Sequence, residues 1–287
     1  MRPLSSIVLD GVARLRSGPH PAHACQDANT LLLHVLGKDK AWLIAHAEEQ
    51  LSGDQAARYA ELLERRFRGE PIQYITGEAE FYGLPFNVTR DVLIPRPETE
   101  HSVEKALELA SNFTAPRIMD VGTGSGAIAV ALAHELPEAR ITAIDLSAAA
   151  LAVARKNAEL NGVSERIRFL CGDLLAPVAG EQFEIVVSNP PYVPTNDRAT
   201  LSVEVRDYEP EMALFAGEDG LEVYRRLIPT AFDALIPGGC VVLELGFGQS
   251  HAITELLAGS DFEQIEFVPD LQGIPRVACA RRPDKLS

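Results

Sequence analysis

Long apolar runs are absent from this sequence. A membrane-crossing helix needs roughly 20 consecutive apolar residues, so neither a spanning segment nor a membrane partner is expected. The N-terminus has no basic opening followed by an apolar segment, so no secretory leader is expected either. Cysteine is scarce: Cys25, Cys171, Cys240 and Cys279 are scattered, with no paired spacing of the zinc or redox kind. They read as reduced core thiols of a cytoplasmic protein. None of the seven histidines falls in a motif. His20, His23 and Cys25 lie close together but lack a fourth ligand, so no metal is expected. Basic residues are in deficit, 26 Lys and Arg against 41 Asp and Glu, for a net charge of −15. Affinity for nucleic acid phosphates comes largely from Lys and Arg, so no direct nucleic acid partner is expected. The deficit is uneven. Residues 1–80 carry 9 basic against 11 acidic residues, and the remainder 17 against 30. An acidic C-terminal half suits a basic protein partner. Internal repeats and low-complexity tracts are missing as well.

Helical periodicity runs through residues 4–69. Leu4, Ile7, Val8, Val12 and Leu15 share one face, as do Leu31, Leu32, Val35 and Leu36 before Gly37. Leu43, Ile44 and Ala47 predict a short third helix. Asp54 to Phe67 predicts a fourth, with Tyr59, Leu62, Leu63 and Phe67 on its apolar side and Arg or Glu on the other. Gly69-Glu70-Pro71 reads as a linker. Residues 79–82 and 85–88 flank Gly83-Leu84 as a hairpin. Ile94-Pro95-Arg96-Pro97-Glu98-Thr99-Glu100 is proline-stiffened, and reads either as a connector or as a lid against a ligand. From Pro116 strands alternate with helices, the pattern of a parallel sheet covered on both faces. Strands are predicted at 117–121, 140–145, 166–171, 183–188, 239–245, 262–268 and 275–281. The chief helices between them are 127–135, 147–161 and 220–235. The last two strands are joined by too short a loop for a crossover and should pair antiparallel.

Asp120-Val121-Gly122-Thr123-Gly124-Ser125-Gly126 closes the first of these strands and opens a helix. Its glycines let a ligand approach bare backbone. Asp145, 23 residues after Gly122, ends the second strand, where a carboxylate accepts ribose hydroxyls. Ala127 also completes a Gly-x-Gly-x-x-Gly/Ala pattern, which keeps a nicotinamide cofactor in contention. Three details favour S-adenosyl-L-methionine. Asp120 would be awkward beside a pyrophosphate but can hold an amino group or order the loop. Asp173 and Leu174 follow the third strand, placed to accept from an adenine amino group and to cover the ring. The fourth strand ends in Ser188-Asn189-Pro190-Pro191-Tyr192, an amide clamp rather than a hydride acceptor's acid and base. Two prolines cannot continue a ladder, so the chain leaves the sheet as a stiff elbow. An NH2 group entering it can donate to the Asn189 side-chain oxygen and to the Pro190 carbonyl, with the Tyr192 ring stacked on its face. The connection Tyr208 to Gly220 should lie beside this site.

These segments resemble the HemK-type family of glutamine N5-methyltransferases that modify peptide chain release factors. The resemblance covers nearly the whole chain. It runs through Tyr74-Ile75-Thr76-Gly77, Glu80-Phe81-Tyr82-Gly83, Leu93 to Glu100, Asp120 to Gly126, Ser188 to Tyr192, Tyr208-Glu209-Pro210 and Leu214 to Leu221. The glycine loop and Asn-Pro-Pro-Tyr also occur in enzymes that methylate other amino groups. Ile-Pro-Arg-Pro-Glu-Thr-Glu and Phe-Ala-Gly-Glu-Asp-Gly are more specific. The resemblance implies an α/β fold: a seven-stranded Rossmann-like class I methyltransferase domain (97–287), a linker and hairpin (71–96), and a small N-terminal helical bundle that docks substrate (1–70). It implies methyl transfer from S-adenosyl-L-methionine, yielding S-adenosyl-L-homocysteine, to the glutamine of a Gly-Gly-Gln segment in release factors. The residues it marks are Asn189, Pro190 and Tyr192 for catalysis, and Asn189, Pro190, Pro191 and Tyr192 for the substrate. For the cofactor it marks Asp120, Gly122, Thr123, Gly124, Ser125, Gly126, Asp145, Asp173, Leu174 and Asn189. Glutamine methylation of a ribosomal protein and exocyclic-amine methylation of a nucleic acid base are the alternatives.

Overall fold

Apolar residues at three- and four-residue steps build the N-terminal helices seen in the structure, a computed structural model that describes residues 2–284. Helix α1 (Leu4–Arg16) buries Leu4, Val12 and Leu15. Helix α2 (Ala24–Leu36) ends at Gly37, which takes the left-handed conformation that closes many helices. Helix α3 (Lys40–Ala45) is capped by Asp39, whose side chain accepts from the Trp42 N–H at 2.7 Å. Helix α4 (Gly53–Phe67) opens on a reciprocal Ser52–Gln55 capping box. Close approach of α1 to α4 depends on Gly11, where a Cβ would fall 2.4 Å from the Tyr59 hydroxyl oxygen. That hydroxyl donates to the Ala28 carbonyl of α2 at 3.0 Å.

Four features here depart from expectation. A short helix α5 (Ile72–Thr76) follows Pro71 and stops at Gly77. Five residues are too few to carry a periodic signal, yet they place Gly69–Pro71 inside the helical unit rather than at its edge. That unit extends to Glu78, so the hairpin and residues 88–96 belong to the second unit rather than to a separate linker. The helical unit also includes Leu201–Tyr208. Arg66, expected on the polar side of α4, is 4% exposed. Its Nε donates to Asp27 Oδ2 at 2.6 Å, its Nη1 donates to the Glu70 carbonyl at 3.0 Å, and it pairs with Glu204. A buried charge persists only when paired in this way.

The second unit begins at Ala79, inside the hairpin of β1 (Glu78–Phe81) and β2 (Leu84–Asn87). A 3-10 turn, Pro97–Thr99, then leads into α6 (Glu100–Ala110). The alternation follows: β3 (Arg117–Val121), α7 (Ala127–Glu135), β4 (Arg140–Asp145), α8 (Ala148–Leu160), β5 (Ile167–Cys171) and β6 (Phe183–Ser188). After α9 (Val203–Tyr208), which lies in the helical unit, come α10 (Glu222–Ala234), β7 (Leu235–Glu244), α11 (Ser250–Ala258), β8 (Glu263–Pro269) and β9 (Pro275–Arg281). The seven strands β3 to β9 are ordered β5-β4-β3-β6-β7-β9-β8. β3 to β7 run parallel, and β9 pairs antiparallel with both β7 and β8, as the short last loop requires. β7 starts four residues earlier than expected, because Pro237-Gly238-Gly239 reads as a breaker but sits at a register shift within the strand.

Alternate strand residues feed two cores, one on each face of the sheet. Ile118, Ile185, Val187 and Val242 pack with Val103 of α6, Leu132 of α7 and Ala154 of α8. Met119, Val186, Val241 and Leu243 pack with Tyr224, Leu227, Ile253 and Leu257 of α10 and α11. Cys240 and Cys279 are buried on adjacent strands as expected, but Cys25 and Cys171 are exposed. Cys171 ends β5, an edge strand, and Cys25 lies on the open side of α2. Among the described residues, no helix is long and apolar enough to cross a membrane, and no cluster of His, Cys, Asp and Glu could hold a metal ion. His20 lies instead beside Glu204, Nε2 to Oε1 3.5 Å.

Candidate active site

Sheet order reverses between β3 and β6, since the chain moves outward from β3 in one direction and resumes beside it in the other. A crevice forms at the C-terminal strand ends at such a switch point. Here it is a cleft of about 220 Å³ lined by Gly122, Gly124, Asp145, Leu174 and Asn189 among others. Val121 and Ser188 are register partners on β3 and β6, and the Ser188 hydroxyl donates to the Val121 carbonyl at 2.6 Å. The glycine loop and the elbow are thereby tied at their roots.

The loop is shaped from within. Asp120 is wholly buried, and its Oδ2 accepts from the Thr123 hydroxyl at 2.6 Å and from the Ala129 N–H at 3.2 Å. Burial outweighs these bonds and pushes its carboxyl up to about 7. Its Oδ1 has no protein partner. The Gly122 and Thr123 N–H groups both donate to the Ile144 carbonyl, at 2.8 and 2.9 Å. Gly122, Gly124 and Gly126 all have positive φ. A Cβ on Gly122 would meet nothing, whereas one on Gly126 would fall 3.1 Å from Ala154 Cβ. The first two glycines therefore keep space open on the cleft side, and the third lets α7 pack on α8. Asn157 of α8, fully buried, donates to the Ser125 carbonyl at 2.8 Å and exchanges hydrogen bonds with Asn87 of β2.

Asp145 accepts the Gly124 N–H on one oxygen and the Ser147 N–H on the other, both at 2.8 Å. A carboxylate has about four acceptor sites, so these bonds leave acceptor capacity to take a hydroxyl in the cleft. Burial raises its pKa. Leu174 lines the cleft in a left-handed conformation, φ +48°. Asp173 also lines it, but is exposed and paired with Arg226 of α10. Unused acceptors on Asp145 and open space over glycine backbone fit a ligand with a ribose and few anionic groups.

At the elbow, Asn189 and Pro191 line the cleft, whereas Pro190 and Tyr192 are not among its lining residues. Tyr192 is turned to Glu244 at the end of β7, its hydroxyl 3.3 Å from Oε1. The Asn189 Nδ2 donates to the Thr99 hydroxyl oxygen at 3.0 Å. Glu244 is 2% exposed, and its Oε2 has no hydrogen-bond partner among the described residues. Burial pushes its carboxyl up to about 7. Gln249 donates to the Tyr192 carbonyl at 3.0 Å, and the Val193 N–H donates to the Leu214 carbonyl at 2.8 Å. The elbow is thus held along its length. Pro210, Met212 and Ala213 line the cleft, which places that part of the long connection at the site. Arg96 pairs with buried Glu209, joining this connection to the proline-stiffened segment, whose Pro95, Arg96 and Thr99 also line the cleft.

Residue-type patterns did not single out Thr99, Glu244 or Arg226. Thr99 lay within a segment read as a connector or a lid with no role given to its hydroxyl, and Glu244 reads as one more polar residue at a strand end.

Two family models match the chain: the PrmC N-terminal domain over residues 10–77 and the methyltransferase small domain over residues 105–205. The release factor glutamine methyltransferase of Koribacter versatilis is 44% identical over 89% of this chain and 90% of its own length. That of Bradyrhizobium diazoefficiens is 45% identical over 94% and 92%. Among solved structures, a methyltransferase from Pyrococcus furiosus superposes with a TM-score of 0.51 at 19% identity, over 70% of this chain and 90% of that one. The last likeness concerns the fold alone.

Proposed function

The chain belongs to the release factor glutamine methyltransferase family, and on that premise we propose that it methylates the side-chain amide nitrogen (N5) of the glutamine in the Gly-Gly-Gln segment of a peptide chain release factor, with S-adenosyl-L-methionine as methyl donor. The observation that carries this reading is the orientation of Asn189. Its Nδ2 is engaged by Thr99, so Oδ1 is the atom it offers to a substrate. An acceptor at that position suits a substrate that donates N–H.

Bound in the cleft, the cofactor supplies an electrophilic methyl group on a sulfonium. An amide nitrogen attacks poorly, because its lone pair is delocalised into the carbonyl. Asn189 Oδ1 and the Pro190 carbonyl accept its two hydrogens, which favours the pyramidal attacking form over the flat ground state. Pro190 and Pro191 make the elbow stiff, so the nitrogen is held in one direction. Asp145 would take the ribose hydroxyls, Asp173 would accept from the adenine amino group, and Leu174 would cover the ring. Gly122, Thr123, Gly124, Ser125 and Gly126 present backbone, and Asp120 orders them. Tyr192 is assigned to holding the elbow through Glu244. The helical unit is assigned as the docking module for the substrate protein. A short Gly-Gly-Gln peptide should then show a higher KM than the whole factor.

Purified release factor and ribosomal subunits, each incubated with enzyme and isotopically labelled cofactor, test this reading. Mass spectrometry should place one methyl on the Gly-Gly-Gln glutamine. Label only on a ribosomal protein or on nucleic acid would overturn it.

A further inference from the structure

Two prolines make the elbow stiff, but stiffness alone does not aim it. Each ring sets φ, and each also narrows ψ of the residue before it, so Asn189 to Pro191 forms a short rod. A rod held at one end still swings. Ser188 holds the near end through the Val121 carbonyl. The far end is Tyr192, whose carbonyl accepts from Gln249 Nε2 at 3.0 Å. Gln249 lies just ahead of α11. Its Oε1 takes the Gly246 N–H at 2.9 Å, and its own N–H donates to the Gly246 carbonyl at 3.3 Å. The two ends of a carboxamide have nearly the same shape, so the partners decide which way it faces. A backbone N–H can only donate, which fixes Oε1 on Gly246 and turns Nε2 the other way. There it meets two carbonyls, which can only accept, Tyr192 at 3.0 Å and Gly220 at 3.4 Å. Two glycines leave the room. A Cβ on Gly220, at φ +74°, would fall 2.3 Å from the Tyr192 carbonyl oxygen. One on Gly246 would fall 2.9 Å from Gln249 Oε1 and 3.0 Å from Tyr192 Cδ2. The Leu214 to Leu221 motif gives further backing. Val193 bridges Phe215 in parallel, the Ala216 N–H donates to the Val193 carbonyl at 3.0 Å, and the Thr195 N–H donates to the Gly217 carbonyl at 2.8 Å.

We propose that Gln249 is a positioning residue that, with Gly220 and Gly246 giving it room, pins the far end of the elbow and so aims Asn189 and the Pro190 carbonyl at the substrate nitrogen. This rests on the reading of the elbow as the substrate clamp. Gln249 is not among the residues lining the cleft, so it acts through Tyr192. In Gln249→Glu the side chain keeps its size, but a carboxylate without hydrogens then faces two carbonyls. The Tyr192 end is repelled instead of held, and the Pro190 carbonyl moves off line. Asp120 and Asp145 make their hydrogen bonds to the glycine loop and to the start of α8, so the cofactor half of the site should be spared.

The test uses the full-length enzyme with purified release factor, in the variants Gln249→Glu and Gln249→Met. Gln249→Glu should lower kcat by roughly tenfold to a hundredfold, the scale of a small misplacement of a reacting group. Gln249→Met, which loses the donors without adding repulsion, should lower it less. In both, the KM for S-adenosyl-L-methionine and the affinity for S-adenosyl-L-homocysteine should stay within about threefold, because cofactor binding is not what Gln249 supplies. A residue that acts through the clamp should also matter little once the clamp is cut. In an Asn189→Ala background Gln249→Glu should therefore cost no more than about threefold. A Gln249→Glu variant with wild-type kcat overturns the proposal alone, and so does a full, additive loss in the Asn189→Ala background. If Gln249→Glu loses cofactor affinity, and with it evidence of folding, Gln249→Met decides. Lowered kcat with affinity kept supports the proposal, whereas wild-type kcat, or affinity lost there too, overturns it. Wild-type enzyme that leaves release factor unmethylated overturns the functional reading and the role of Gln249 with it.

Discussion

Asp120 and Glu244 each lie at the C-terminal end of a strand in one sheet, and at first sight they match. Each is buried, each is pushed up to about 7 by that burial, and each has one carboxylate oxygen without a hydrogen-bond partner. Their partners differ. Asp120 is bonded by Thr123 and Ala129, both within nine residues, and the result is a loop whose backbone faces the cleft. Glu244 is approached by the Tyr192 hydroxyl and Asn189 is held by Thr99, partners that come from distant parts of the chain, and the result is an elbow fixed by side chains. One half of the site is shaped by local sequence and presents main chain. The other is assembled by the fold and presents a single oriented amide.

If the halves divide the work in this way, they should be separable by mutation. Asn189→Ala should give the largest effect, a loss of ~3 kcal/mol or more in transition-state stabilisation, as for other positioned polar groups in active sites. S-adenosyl-L-homocysteine affinity by calorimetry should stay close to wild type, and a parallel loss of affinity would erase the division.

Glu244 should be visible in stability as well. A carboxyl whose pKa is higher in the folded than in the unfolded protein binds its proton more tightly when folded. Its contribution is present below the unfolded value and is lost as pH rises through about 7. Glu244→Gln removes that loss, so the variant should gain roughly 3 kcal/mol on wild type between pH 4.5 and pH 8. Chemical denaturation at the two pH values reads this, and Asp120, unchanged in both proteins, cancels. A variant no better at pH 8 than at pH 4.5 would show that Glu244 is not buried as described.

On the cofactor side, Asp145→Ala should weaken S-adenosyl-L-homocysteine binding by about 2 kcal/mol, the scale of hydrogen bonds to a charged group. Turnover at saturating cofactor should change far less. Arg226→Gln should do least. Its pair with Asp173 is half exposed, and such pairs contribute little, so cofactor affinity should shift only a few-fold.

The same contrast decides how much was legible in the residues. The glycine loop, Asp145 and the order of strands and helices depend on local spacing, and most predicted strand bounds agree with the structure to within a residue. Asn189 was legible because prolines after a buried strand force an elbow. Thr99 and Glu244 were not, since Thr99 meets Asn189 and Glu244 meets Tyr192 only across long stretches of chain. The Tyr192 contact was hidden for a related reason: only the fold brings its hydroxyl to Glu244, 52 residues along the chain. Arg66 follows the same rule, because helical spacing cannot foresee that Glu204, far along the chain, makes its burial tolerable.

A crystal structure of the enzyme with S-adenosyl-L-homocysteine and a Gly-Gly-Gln peptide bears most directly on the oriented clamp. The glutamine side-chain nitrogen should lie within hydrogen-bonding distance of Asn189 Oδ1 and the Pro190 carbonyl, facing the cofactor sulfur, with Asn189 Nδ2 still on Thr99. A glutamine held elsewhere, or an Asn189 amide turned with its nitrogen toward the peptide, would contradict it.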